Sequence, residues 1–279
     1  MMPVLVTGST GRIGSRLVPR LLRANVKLRL LVRNPQRVEA FAERGADVIT
    51  GDLRDAEVVK RALDEVYAVV HLGAAFRGVP DAEMEAVNLA ATRQLAELAR
   101  TRRFVHASTG LVYGPGRGRP AREEDELQPP EGSPYPRTKA AAEEALRGMA
   151  KEGLDLRVLR LGFVYGDADP HLEESLRWAT QWPAHKRLHM LHHADVGQAV
   201  LRLLLAEGLE RRIFNIADDA PVTAHELCAL NHESLPPEAA TRPLDDPWEG
   251  IMDTSLAREL LGFRPIYPTV YEAQDAGTL

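Results

Sequence analysis

The segment "VLVTGSTGRIGSRL", residues 4 to 17, carries the strongest structural signal in this 279-residue chain. A short apolar run of strand type is followed by Gly8, Gly11 and Gly14, and then by apolar residues at helical spacing. Glycines between a strand and a helix let the backbone turn tightly and approach a pyrophosphate, whose charge sits at the helix N-terminus. The segment therefore predicts a dinucleotide-binding loop, with a plain tight turn as the alternative.

The rest of the first half alternates short apolar runs with helical patterns. Strand-like runs such as "VKLRLLVR", "ADVITGD", "YAVVHLGAA" and "RFVHAS" are separated by segments with the apolar spacing of helices. Such alternation indicates parallel strands joined by right-handed crossovers. We predict an α/β fold, a Rossmann-type doubly wound parallel sheet. Residues 114 to 134, rich in Gly, Pro and charge, are predicted as one long surface loop, which is typical of an active-site element or of disorder.

Charge and cysteine usage exclude several classes of protein. The net charge of -5 offers no long-range attraction to nucleic acid or to an anionic membrane. The sequence has no run of about 18 apolar residues for a membrane span, and its N-terminus reaches glycine too early for a signal peptide. Cys228 is the only cysteine, which excludes an intramolecular disulfide and favours a reducing compartment. We therefore predict a cytoplasmic protein that binds neither nucleic acid nor membrane.

The end of the second strand bears on the choice of cofactor. An acid about 20 residues after the glycines would accept a hydrogen bond from the 2'-hydroxyl of NAD. This strand instead ends in "LLVRNP", with Arg33 at that place, and a guanidinium suits the 2'-phosphate of NADP. We predict NADP as the cofactor, with NAD as the alternative if Arg33 only lies over the adenine face.

A tyrosine and a lysine stand four residues apart in "GSPYPRTKAAAEEAL", residues 132 to 146, which has the pattern of a helix. Hydride transfer at a carbinol needs a group that takes or gives the hydroxyl proton, and a tyrosine with a pKa near 10 is a poor base at neutral pH. Lys139 lies on the same helix face as Tyr135, and its charge favours the phenolate. The pair suits acid/base catalysis; the alternative is a helix start with Pro136 in the first turn and a solvated lysine.

With these motifs in order along residues 2 to 270, the sequence resembles the extended short-chain dehydrogenase/reductase family of NAD(P)-dependent epimerases, dehydratases and reductases. The segments "TGSTGRIG", "GDLRD", "HLGAA", "VNLAATRQLAELA", "FVHASTGLVYG", "YPRTK" and "LRLGFVYG" are similar to family segments in the expected order. Counting back four residues from Tyr113, as the family pattern requires, the resemblance implies that Thr109 holds the catalytic hydroxyl. Thr109, Tyr135 and Lys139 are therefore predicted as the catalytic residues, with the threonine donating to the substrate oxygen.

The same resemblance implies a cofactor site and a division of the chain. The predicted cofactor-binding residues are Gly8, Thr10, Gly11, Arg12, Ile13, Gly14, Arg33, Asp52, Leu53, Leu72, Gly73, Ala74, Ala75, Asn88, Ala107, Tyr135, Lys139, Leu161, Gly162 and Val164. Residues 1–166 are expected to form the dinucleotide-binding Rossmann domain, to which residues 194–216 return. Residues 167–193 and 217–279 are expected to form a small C-terminal substrate-binding part.

Two features bear on the substrate. Nucleotide-sugar enzymes of the family usually carry an asparagine just before "VYG", near the substrate diphosphate, whereas Phe163 stands there in this sequence. The stretch 166–192, which holds much of the nucleotide pocket in those enzymes, is also short. Three hypotheses remain: an NAD(P)-dependent epimerase or dehydratase of a nucleotide sugar, an NADPH-dependent carbonyl reductase of a small non-nucleotide substrate, and a non-catalytic dinucleotide-sensing protein. Retention of all three catalytic residues favours the two enzymes.

The resemblance also suggests a partner. The family often dimerises through its two long helices, here about 81 to 100 and 135 to 150, so the resemblance implies a homodimer as one option, while the residues themselves leave the oligomeric state open.

The histidines of "HKRLHMLHH", residues 185 to 193, are the candidates for metal ligands. No acid or cysteine completes a familiar zinc spacing, and an edge strand or a pocket lining suits the pattern better, so no metal is predicted. Asp195 is predicted as the N-cap of the helix that follows.

Overall fold

The computed structural model describes residues 2–99 and 102–279. Its strands are β1 (Val4–Thr7), β2 (Leu28–Val32), β3 (Asp47–Thr50), β4 (Ala68–His71), β5 (Arg103–Thr109), β6 (Asp155–Leu161), β7 (Phe163–Tyr165), β8 (Arg187–Leu188), β9 (Met190–His192), β10 (Arg212–Ile216) and β11 (Val222–Thr223). Seven of them form a parallel sheet in the order β10-β6-β5-β4-β1-β2-β3. The order reverses between β1 and β4, the point at which doubly wound folds bind dinucleotides. The prediction of an α/β doubly wound sheet is confirmed.

The helices lie on both faces of this sheet and around its end. They are α1 (Arg12–Arg23), α2 (Glu39–Ala42), α3 (Ala56–Leu63), α4 (Asp81–Glu85), α5 (Thr92–Leu98), α6 (Pro134–Lys151), α7 (His171–Glu174), α8 (Leu176–Ala179), α9 (His193–Leu205), α10 (Ala224–Leu230), α11 (Ser255–Leu260) and α12 (Val270–Asp275). Asp55 accepts hydrogen bonds from the first turn of α3 and is its N-cap, as its residue type favours. In the described part of the chain, none of these helices is long and apolar enough to cross a membrane.

The helix expected near residues 81 to 100 contains a π-helical segment. Ala86–Ala91 is π-helix and joins α4 to α5, so the helical run extends from 81 to 98. Such segments are rare and are frequently found at functional sites. Arg100, the last residue of the expected helix, lies outside the described residues.

Two apolar cores lie on opposite faces of the sheet. Alternate residues of β1 face opposite sides, since Val4 and Val6 belong to one core and Leu5 to the other. The first core lies under α1 and α9, and the second under α3, α5 and α6. Each fully buried Val or Leu side chain contributes about 1.5 to 3 kcal/mol through removal from water. Because the seven strands are parallel, their carboxyl ends lie at the same edge of the sheet, between these two cores.

Residues 162–193 and 217–279 surround that edge. β7 pairs with β9, β8 pairs with β11, and a smaller apolar core lies between these short strands and α10 and α12. β10, within 194–216, lies beside β6 in the main sheet. The boundaries between a Rossmann domain and a substrate-binding part stay predictions.

Two local expectations from the sequence are wrong. The apolar run "DLRVLRLGFVYG", residues 155 to 166, has the pattern of one strand but is divided into β6 and β7 at Gly162, because the Gly162 N–H bonds to Ile216 of the main sheet while the Phe163 N–H bonds to His189. Asp195 does not cap α9. The His192 imidazole accepts the hydrogen bond from the first turn, at 3.1 Å from Ala194 N, and Asp195 instead accepts from the Ile266 N–H.

Candidate active site

The glycine loop after β1 is packed against the chain that follows β4. Gly8 has φ +75°, which favours glycine, and a Cβ there would lie 2.6 Å from Gly73 N. A Cβ on Gly14 would lie 2.1 Å from the Gly8 carbonyl oxygen, so no larger residue fits. The N-cap of α1 is Gly11, which has no side chain to accept from the first-turn N–H groups. Those donors suit the pyrophosphate of a dinucleotide, so the residues present fit this group.

Three arginines surround the end of β2, where the adenosine ribose of a dinucleotide would lie. Arg33 is exposed, and Arg37 Nη2 donates to the Thr10 carbonyl at 3.1 Å. Hydrogen bonds from Arg54, and less strongly the charge of Arg33, lower the pKa of Asp52. The Asp52 carboxylate is paired with Arg54 at 2.7 Å. Within residues 2–99 and 102–279, no hydrogen bond or ion pair occupies the guanidinium of Arg33, which could therefore bind an anion. Arg37 was not predicted from the sequence. The turn that starts after Asn34 brings the Arg37 side chain back to the glycine loop, and the spacing of four residues from Arg33 was the signal that could have identified it.

Tyr135 and Lys139 lie one turn apart at the start of α6. Pro134 begins the helix, Tyr135 is half-buried, and the Phe76 ring packs edge-on against Tyr135 at 4.5 Å between centroids. Burial raises the pKa of Tyr135 to about 12. Burial also lowers the pKa of Lys139 to about 8, against an opposing effect of the Glu143 charge. Tyr135 is therefore protonated at neutral pH, and forming its phenolate requires nearby positive charge.

Two histidines behind Lys139 were missed from the sequence. Lys139 Nζ lies 3.2 Å from His106 Nε2, and the His106 ring stacks on His71 at 5.4 Å between centroids. His71 is held by Thr7 Oγ1 at 2.6 Å and by Thr92 Oγ1 at 2.8 Å. Burial lowers the pKa of His71 to about 3 and that of His106 well below its usual value, so both imidazoles are neutral. Their signal was a histidine at matching positions of two adjacent strands, in "VVHL" and "FVHA".

Asn88, in the π-helical segment, joins three elements of the site. Its Oδ1 accepts from Ala75 N at 2.7 Å, and its Nδ2 donates to the Ala75 carbonyl at 2.9 Å and to Thr138 Oγ1 at 3.0 Å. Thr138 in turn donates to the Tyr135 carbonyl at 2.9 Å. The chain after β4 is thereby fixed against the first turn of α6.

Thr109 and Ser108 have different surroundings at the end of β5. The Ser108 hydroxyl donates to the buried carboxylate of Glu143. Thr109 Oγ1 accepts from Leu111 N at 3.3 Å, and no acceptor for its hydroxyl proton is found among the described residues. Thr109 therefore has a donor available to a ligand, whereas Ser108 does not.

A buried polar network lies beneath Thr109 and anchors the loop at 114–134. Glu143 and Arg160, both fully buried, form an ion pair at 2.7 Å, and Arg160 Nη1 lies 2.6 Å from the Tyr113 hydroxyl. The same guanidinium donates to the Glu123 carbonyl at 3.1 Å, and Glu123 Oε1 accepts from Asn215 N at 2.8 Å. Glu123 belongs to an acidic run of the kind that lies on a solvated face, yet these hydrogen bonds hold it and the loop against the sheet.

The remaining predicted cofactor residues lie near the carboxyl ends of the strands. The Arg12 side chain points away from the loop, with bonds of 3.0 Å to Asp169 and 2.7 Å to Glu174. Thr10 lies in the glycine loop and Ile13 in the first turn of α1, while Leu53 follows β3. Leu72 and Ala74 follow β4, and Ala107 lies on β5. Leu161 is the last residue of β6, Gly162 follows it, and Val164 lies on β7. The structure thus brings the loop glycines and the Tyr135 region to one edge, with Arg33 at its far end.

Three of the histidines after residue 184 bond to other protein groups. His193 Nε2 lies 2.9 Å from Asp169, His189 Nε2 lies 3.0 Å from the Asp218 carbonyl, and His192 Nε2 lies 3.0 Å from the Thr278 carbonyl. Within residues 2–99 and 102–279, no group of three potential ligands could hold a metal ion.

Comparison with known proteins identifies the family of the chain. The model of the NAD dependent epimerase/dehydratase family matches residues 4–234. The chain belongs to this family. The family predicted from the sequence is therefore confirmed.

Relatives within this group differ in substrate. The chain is 34% identical over 175 residues to sterol demethylase protein B of Methylococcus capsulatus, covering 60% of this chain and 53% of that protein. It is 29% identical over 243 residues to 4-hydroxy-2-methyl-3-oxo-4-farnesyl-3,4-dihydroquinoline-1-oxide ketoreductase of Stigmatella aurantiaca, covering 82% and 72%. The structure of MoeE5 in complex with UDP-glucuronic acid and NAD superimposes with a TM-score of 0.79 and 25% identity, covering 98% of this chain and 96% of that one. The chain thus spans about half the length of the first of these relatives.

Proposed function

We propose that this protein catalyses hydride transfer between a nicotinamide cofactor and a carbinol or carbonyl carbon, with Tyr135 as the acid/base. The observation that carries the proposal is the position of Tyr135 one turn before the buried Lys139, at the strand edge that also holds the glycine loop. The bound cofactor would supply or accept the hydride. In carbonyl reduction the Tyr135 phenol gives its proton to the substrate oxygen, and in carbinol oxidation the phenolate takes that proton.

Lys139 and Thr109 have separate roles in this proposal. The ammonium of Lys139 stabilises the phenolate, because Tyr135 alone has its pKa raised to about 12 by burial. The Thr109 hydroxyl, whose proton has no acceptor in the described part of the chain, donates to the substrate oxygen and orients it toward Tyr135. A protein that only sensed dinucleotides would need none of these groups.

We propose NADP as the preferred cofactor. The similar structure of MoeE5 contains NAD. In this chain Arg33 is exposed at the end of β2, and Arg37 lies beside the glycine loop through Thr10. Two guanidiniums suit a 2'-phosphate, while the acid that would accept from a 2'-hydroxyl is replaced by Arg33. Fluorescence titration should show tighter binding of NADPH than of NADH.

Two substrate classes follow from the family. A nucleotide sugar, as bound by MoeE5, is the first, and the reaction would be an epimerisation or a dehydration in which the cofactor is regenerated. The second is a small carbonyl compound without a nucleotide. Phe163 favours this second class. Its ring stacks on His171 at 4.1 Å and contacts Trp178 edge-on, so an aromatic cluster stands where a substrate diphosphate would need a polar side chain. Net consumption of NADPH separates carbonyl reduction from epimerisation.

The helical run at 81–98 and α6 pack against each other and are the proposed contact of a homodimer. Light scattering of the purified protein would test this: a mass twice that of the chain supports the proposal, and a monomer contradicts it.

The proposed chemistry is tested by a substrate screen with both cofactors, in which nicotinamide absorbance and sugar-nucleotide products are followed in parallel. Turnover of any compound that depends on Tyr135 supports the proposal. Binding of a dinucleotide with no turnover across ketones, aldehydes and nucleotide sugars would favour a sensing protein.

A further inference from the structure

We propose that His106 is a positioning residue for the reaction, because its Nε2 accepts a hydrogen bond from Lys139 and keeps the ammonium charged and directed toward Tyr135. The consequence for catalysis rests on the proposed function, whereas the contact itself does not. It is carried by geometry: the Lys139 Nζ to His106 Nε2 distance is 3.2 Å, and the two side chains are 2% and 0% exposed.

The protonation of the imidazole follows from this contact. An ammonium is a donor only, so Nε2 must be the acceptor and the proton of the neutral ring lies on Nδ1. His106 Nδ1 is buried and has no hydrogen-bond partner among the residues that the structure describes. A buried donor without a partner destabilises a fold, and an apolar side chain on β5 would avoid that cost. The presence of a histidine at this buried position is therefore explained by the hydrogen bond that His106 Nε2 accepts from Lys139.

The groups around Lys139 show why a neutral acceptor matters. Tyr135 precedes it by one turn of α6, and Glu143 follows by one turn but is paired with Arg160 and Ser108. From the sheet, His106 faces it directly, and His71 lies behind His106. Burial lowers the pKa of Lys139 to about 8, so loss of one acceptor brings its titration into the neutral range. A neutral imidazole also binds only one of the three ammonium protons and leaves two for other acceptors.

The matched variants are His106→Met and His106→Gln, which have similar size and differ in the acceptor. The readout is the titration of the Lys139 side-chain nitrogen, followed by NMR on protein labelled with ¹⁵N-lysine. The protein has five lysines, so few signals need to be assigned, and the measurement requires no substrate. We expect His106→Met to lower the pKa of Lys139 by about one unit, as loss of a hydrogen bond to a charged group implies, and His106→Gln to restore most of it. Equal titration of Lys139 in wild type and both variants would overturn the proposal.

A second measurement needs no variant, in case His106→Met does not fold. The ¹⁵N spectrum of histidine-labelled wild-type protein reports which ring nitrogen carries the proton. We expect His106 with the proton on Nδ1, and a proton on Nε2 would overturn the proposal.

Activity separates this inference from the proposed function. If Tyr135→Phe keeps its turnover, the acid/base proposal fails while the Lys139 titration still decides the role of His106. If Tyr135→Phe is inactive but His106→Met leaves the pH profile of reduction unchanged, the positioning role fails and the proposed function stands. We expect the high-pH decline of the rate to move about one unit lower in His106→Met and to return toward the wild-type position in His106→Gln.

Discussion

Replacement of Arg160 by methionine tests how the buried network supports the site. The substitution removes a guanidinium that bonds to Glu143, to the Tyr113 hydroxyl and to the Glu123 carbonyl, and leaves the Glu143 carboxylate buried with Ser108 as its partner. Removing one partner of a buried ion pair typically costs about 3 to 5 kcal/mol, because the other charge stays unpaired in a medium of low polarity. We therefore expect Arg160→Met to lower the free energy of unfolding by about that amount.

Urea unfolding followed by circular dichroism measures this loss, provided that the m-value is unchanged. The control is Lys60→Met: Lys60 and Glu57 form an ion pair with exposed side chains, 55% and 75%, so its loss should cost less than about 0.5 kcal/mol. In the double variant with Glu143→Leu, the loss should be smaller than the sum of the single losses by at least about 2 kcal/mol. A loss below about 1 kcal/mol for Arg160→Met, or additive losses in the double variant, would refute the reasoning.

Three further outcomes follow from the site. Arg33→Ser should weaken NADPH binding about tenfold with little effect on NADH, as a fluorescence titration would show; equal losses would contradict the assignment of Arg33 to the 2'-phosphate. Gly14→Ala should abolish dinucleotide binding, since its Cβ would lie 2.1 Å from the Gly8 carbonyl oxygen, and circular dichroism would check that the fold persists. The rate of carbonyl reduction should fall as pH rises through about 8, because the ammonium of Lys139 is lost there; a rate that is flat to pH 10 would contradict this role.

The features that sequence predicted well are local ones. The turn at Gly8 and the close approach at Gly14 depend on a few consecutive residues, and the alternation of strands and helices follows from apolar spacing. The family resemblance added order to these signals, and the structure and comparisons confirm the fold and the family. The roles of the individual site residues stay predictions.

The features that sequence missed depend on contacts between distant segments. His106 meets Lys139 only because α6 lies over β5, and no pattern within "FVHAS" shows which helix covers it. An acidic run such as the one around Glu123 is typical of a solvated face, but Asn215 and Arg160, which bond to Glu123, come from strands far along the chain. Asp195 has the residue type of an N-cap, yet His192 takes that position because Asp195 bonds to the segment before α12. In each of these cases the position of the side chain is set by its burial and by hydrogen-bond partners that are distant in the sequence.

The role of Tyr135 as the acid/base is tested by the effect of Tyr135→Phe on turnover of a substrate found by the screen. We expect a fall of about 10² to 10⁴ in rate with unchanged dinucleotide binding, because phenylalanine keeps the ring contact with Phe76 and removes only the hydroxyl. Tyr271→Phe, at an exposed tyrosine on α12, is the control and should keep the wild-type rate. A near-wild-type rate in Tyr135→Phe would contradict the account.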